Sequence, residues 1–97
     1  MKPNNEQIDN TSYYALPCGR QLEEFVWWRR LDFATGSALK YRFRAGRKDG
    51  ESMAKDLAKR DHYTAFLASH TSCGQDWHNQ RVEDLYHEAM AWDGKDF

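Results

Sequence analysis

Ser52-Met53-Ala54-Lys55-Asp56-Leu57-Ala58-Lys59-Arg60-Asp61-His62-Tyr63-Thr64-Ala65-Phe66-Leu67-Ala68-Ser69 decides the fold class. Met53, Leu57, Thr64 and Leu67 recur at helical spacing and mark an inner line. Ala54, Ala58, Ala65 and Ala68 are expected to allow close approach of a neighbouring helix, and Asp61 interrupts the line where an apolar residue is expected. Upstream, residues 34–45 read as another helix, stopped by Gly46 as a left-handed cap, before Lys48-Asp49-Gly50 turns the chain. Residues 20–32 read as a third, apolar on two faces: Leu22, Phe25 and Val26 on one, Trp27, Trp28 and Leu31 on the other. In so small a domain the second face is expected to meet another copy, making a homo-oligomer with Trp27, Trp28 and Leu31 at the interface. Downstream, Thr71-Ser72-Cys73-Gly74 breaks the long helix, and Ser72 with Gln75 fits a capping box for a further one. Its apolar stripe is Val82, Leu85, Ala89 and Trp92, with Tyr86 and Met90 beside it, and Gly94 ends it. Residues 1–19, punctuated by Pro and Asn, read as an irregular lead. No period-2 run of strand quality occurs. The expectation is an all-α bundle of three to four helices with an irregular N-terminal lead, one domain over 1–97.

Composition narrows the function classes. The 97 residues carry 14 Lys and Arg against 15 Asp and Glu. No run approaches the ~20 apolar residues of a membrane span, and the polar start at Met1–Gln7 carries no secretory signal. The expectation is a cytoplasmic protein with no membrane partner and two reduced thiols, Cys18 and Cys73. Charge is distributed unevenly. Residues 40–60 hold eight basic and three acidic side chains, and residues 61–97 two basic and seven acidic. That pattern points to a focused anion site rather than a wholly basic nucleic-acid binder, which ranks last among the partners. The acidic tail reads as a solvated face, or as a surface for a second copy or a host protein. His70, Cys73, His78 and His87 have spacings that fit no structural zinc pattern, so no metal site is assigned.

The segment Phe33-Ala34-Thr35-Gly36-Ser37-Ala38-Leu39-Lys40-Tyr41-Arg42-Phe43-Arg44-Ala45-Gly46-Arg47-Lys48 is the most informative for function. Together with Asp56, Leu57, Lys59 and Tyr63, and with Tyr14, Gln21 and Glu24 upstream, it resembles the SaV-like family of small phage proteins. The resemblance spans residues 13–67, leaving 71–97 as an added acidic helix. Ser37 stands where that family usually has Asn, and Arg60 where it usually has Ala. The resemblance implies a phage protein in the cytoplasm of an infected bacterial host and, for some relatives, a nucleotide kinase assignment.

Elementary chemistry is compatible with a nucleotide site in this segment. Gly36 and Ser37 at a helix start would let a phosphate approach backbone N–H groups. Lys40 and Arg44 lie one turn apart, and Arg47 and Lys48 would extend the same basic side. Asp56 would hold a metal–phosphate complex or orient a basic side chain, and Tyr41 or Tyr63 would stack on the base. The competing reading is a solvated basic face with Asp56 in a structural ion pair. Gly46-Arg47-Lys48-Asp49-Gly50-Glu51-Ser52 has the wrong spacing for a Walker loop, which excludes a standard P-loop kinase. No catalytic residue is assigned, and Mg2+ enters as a cofactor only if phosphoryl transfer occurs. The expected activity is nucleotide binding, with transfer to or sequestration of the nucleotide. The alternative is a non-catalytic phage effector that binds and inhibits a host protein.

Overall fold

Leu39 and Phe43, one turn apart and fully buried, form the centre of the core. They sit on the helix that packs against both long helices of the computed structural model, which describes residues 14–47 and 52–95. Four helices follow in order: α1 Leu22–Trp28, α2 Phe33–Arg44, α3 Met53–His70 and α4 Gln75–Ala91. Among the described residues there is no strand, only an isolated bridge between Ala15 and Gln21. The all-α expectation holds. Lys48, the turn expected at Lys48-Asp49-Gly50, and the lead up to residue 13 lie outside the described residues.

The core joins Phe25 of α1, Ala38, Leu39 and Phe43 of α2, and Val82, Leu85 and Ala89 of α4. The stripe read in α4 is the buried one, and Trp92 closes it by stacking on Trp28 at 5.2 Å. α3 departs from its expected inner line. Met53 is exposed, and the buried positions are Asp56, Thr64 and Leu67. Ala54, Ala58 and Ala65 face outward rather than into a close helix contact. Thr64 and Leu67 keep the expected line and Asp56 joins the buried face, whereas Met53, the first residue of α3, is exposed although it falls on the same side of the helix.

α1 is shorter than expected. Arg30 adopts φ 61°, and its N–H bonds Trp27 O (3.1 Å) while Leu31 N–H bonds Val26 O (3.2 Å), a Schellman closure. Leu31 therefore leaves the helix, and the two-faced pattern does not form. Trp28 and Leu31, expected at an interface, pack against the chain's own core, while Trp27 stays 59% exposed. The capping box expected at Ser72 is also absent: the N-cap of α4 is Gly74. Gln75 instead donates to Asp61 O and Thr64 Oγ1 on α3, tying the two long helices together (both 3.1 Å).

Two carboxylates of α4 are paired within the chain. Glu83 accepts from Arg42 on α2 and lies 3.9 Å from Arg60, and Glu88 accepts from Arg29. Arg60, the departure from the family pattern, is bound to Asp61 and enclosed at this junction. His78 is buried against Thr71 Oγ1 (2.8 Å), not a surface histidine.

Candidate anion site on helices α2 and α3

The start of α2 is capped by Asp32, whose carboxylate accepts from Thr35 N–H at 3.0 Å. Burial pushes the Asp32 carboxyl up, but hydrogen bonds from Thr35 outweigh it and hold it below the usual range. Two of the N–H groups at this helix start are thus taken within the chain: Thr35 N–H by the Asp32 carboxylate, and Gly36 N–H by Asp32 O at 2.9 Å. Gly36 is buried, and a Cβ there would stand 3.0 Å from Val26 Cγ1. Its smallness lets α1 cross α2. The expected phosphate cradle at Gly36 is corrected to a helix-crossing contact.

Beside that crossing lies a groove of about 420 Å³, within the ~300–1,000 Å³ of small-molecule sites. α2 contributes Phe33, Gly36, Ser37 and Lys40, one face at helical spacing, and α1 contributes Leu22, Glu23 and Val26. Tyr14 forms part of its wall. Gly36, Ser37 and Lys40 were legible in the sequence as neighbours, and Phe33 falls on the same helical face; Glu23 was not legible, because it joins only through the crossing angle.

On the adjoining surface of α2 and α3, three cations gather round one ring. Lys40 Nζ, Arg44 Cζ and Lys59 Nζ lie 5.5, 5.5 and 5.4 Å from the Tyr41 centroid. Tyr41 stacks near-parallel on Tyr63 (6.1 Å, 11°), and Phe33, 80% exposed, meets Tyr63 edge-on. Tyr41 and Tyr63, expected to stack on a base, stack on each other. Behind them Asp56 is fully buried, its Oδ1 3.7 Å from Arg44 Nε. Among the described residues, neither Asp56 oxygen nor Arg44 Nε has a hydrogen-bond partner. Tyr14 reaches the same cluster: burial raises its hydroxyl pKa, opposed by Arg44.

Arg47 does not share this side. α2 ends at Arg44, Gly46 turns the chain at φ 82°, and Arg47 lies over Phe43 and bonds the Tyr86 hydroxyl of α4. Its place in a continuous basic stripe is corrected: the stripe assumed a helix extended through residue 48. Lys59 takes that position instead. The signal for it was its place one turn beyond Asp56 on α3, but only the α2–α3 packing brings it to Tyr41. Among the described residues, no group of three or more His, Cys, Asp or Glu side chains could hold a metal ion. No helix among them is long and apolar enough to cross a membrane.

Residues 4–65 match the family model described as a protein of unknown function, DUF3310. The chain belongs to the DUF3310 family. No curated protein and no solved structure matches it. The DUF3310 match covers α1, α2, Tyr14, Asp56, Lys59 and Tyr63, hence every residue of the anion site. It ends within α3 and leaves out α4, which supplies much of the core.

Proposed function

We propose that this chain binds a nucleotide or a nucleotide-derived small molecule, as a SaV-like phage protein in the cytoplasm of an infected bacterial cell. The observation that supports the reading is the convergence of Lys40, Arg44 and Lys59 on Tyr41, beside a groove of small-molecule size. Lys40 and Lys59 offer point charges and Arg44 a planar fork for phosphate oxygens. Phe33 and the Tyr41–Tyr63 pair offer aromatic surface for a base. Asp56 suits orientation of Arg44 better than a metal. Mg2+ keeps several of its waters, and the enclosed Asp56 carboxylate leaves no room for them. Binding or sequestration therefore fits these residues better than phosphoryl transfer.

The test is a thermal-shift panel of nucleoside mono-, di- and triphosphates and cyclic dinucleotides, with and without Mg2+. Ligand at about 100 times its Kd adds ~2.7 kcal/mol, an upward shift on the order of 10 °C. Lys40→Ala and Lys59→Ala, both at the surface of the site, should abolish the shift without lowering the unliganded Tm. A panel with no shift overturns the reading. It would favour a non-catalytic effector that inhibits a host protein, for which the exposed Trp27, Phe66 and Trp77 rings supply anchors.

A further inference from the structure

Asp56 carries a buried carboxylate. Its side chain is 1% exposed, both carboxylate oxygens lack a hydrogen-bond donor among the described residues, and its ion-pair partner Arg44 stands off at 3.7 Å. A charge so enclosed is destabilising unless closely paired and hydrogen-bonded. The N-terminal turn of α3, where Asp56 sits, offsets part of that cost through the helix dipole. Arg44 is similarly placed: 13% exposed, its Nε unpartnered, its guanidinium over Tyr41.

We infer that Asp56 is a positioning residue for the anion site, holding the Arg44 guanidinium against Tyr41 in the orientation that receives a ligand phosphate. The inference rests on the nucleotide reading above and assigns how that site is pre-organised. Arg44 has a long side chain with several rotatable bonds, and fixing it before binding lowers the entropy lost on association. Asp56 acts from inside, Tyr14 hydrogen-bonds the Arg44 side chain, and 13% of that side chain stays exposed towards a ligand.

The sign of the mutational effect separates positioning from its competitors. Removing a negative charge beside an anion site strengthens anion binding by Coulomb's law alone. Loss of positioning weakens it. Folded Asp56→Asn should therefore bind ATP and inorganic pyrophosphate at least tenfold more weakly by calorimetry. In an Arg44→Ala background the same substitution should no longer weaken binding, and should strengthen it if anything, closing a double-mutant cycle. Equal or tighter binding by folded Asp56→Asn overturns the inference and leaves the nucleotide reading intact. So does a drop in Tm with unchanged affinity, which marks a structural ion pair. If Asp56→Asn does not fold, Arg44→Lys serves: it keeps the charge, loses the fork, and should weaken pyrophosphate as Arg44→Ala does. Affinity equal to the parent chain's overturns the inference. A parent chain that binds neither probe removes the nucleotide reading, and this inference with it.

Discussion

Arg30 is a non-glycine residue with a positive φ, 61°, at the position where a Schellman closure usually carries Gly. An L side chain there costs about 1–2 kcal/mol, partly offset by the guanidinium lying 5.7 Å from the Trp27 ring. Arg30→Gly should raise Tm by about 4 °C, on the order of 1 kcal/mol for a domain this size; a lower Tm in calorimetry contradicts the strain. Titration also belongs to this scale. Hydrogen bonds from Gln21 N–H and from Arg20 lower the Glu24 carboxyl, and Asp32 is lowered by Thr35 against the opposing effect of burial. The stability these groups contribute is fully present above the unfolded values, about 4.3 and 3.9. It is lost as pH falls through the lower folded values. Asp32→Asn keeps an N-cap but does not titrate, so its melting temperature should fall less steeply below about pH 4. An unchanged acid limb would contradict the assignment.

At the scale of elements, two serines looked alike in sequence and differ in the fold. Ser52 Oγ accepts from Lys55 N–H at 3.0 Å and caps α3. Ser72 precedes α4 but does not cap it, since Gly74 is the N-cap. Ser52→Ala should cost ~1 kcal/mol and Ser72→Ala less than ~0.5 kcal/mol, both read from denaturant melts. A larger loss at Ser72 would restore the capping box. The sequence pattern was sound for α4, where Val82, Leu85 and Ala89 are all buried. In α3 it placed Thr64 and Leu67 correctly but missed the exposure of Met53 at the helix start and the inward carboxylate of Asp56, which runs against hydrophobic periodicity and coincides with the candidate site. It lengthened α1 because no Gly or Pro marks the stop; the Schellman closure is formed by Arg30 under tertiary constraint.

At the scale of the whole molecule, the family match and the folding unit differ. The match ends at residue 65, but the core needs Leu85, Ala89 and Trp92 from beyond it. Trp92 contacts Phe25 at 5.5 Å and Trp28 at 5.2 Å, and Arg20 Nε donates to Gly94 O at 2.6 Å, fastening the end of the chain to its beginning. Trp92→Ala should cost about 3–5 kcal/mol, a large part of a typical domain's stability. A chain cut after residue 65 should show no cooperative transition by circular dichroism; a sharp one would make α4 dispensable.

The sequence by itself determined the helical class, the buried stripe of α4, the glycine stop at Gly46, and the placing of Lys40 and Arg44 one turn apart on α2. These follow from local periodicity and backbone conformation, which a linear pattern records. The tertiary structure decided the rest. It turned Asp56 inward, sent Arg47 to α4, brought Lys59 across to Tyr41, and made Gly36 a crossing point rather than a phosphate cradle. Each of these depends on the angle and rotation at which one helix meets another. That geometry is set by the packing of all four helices together.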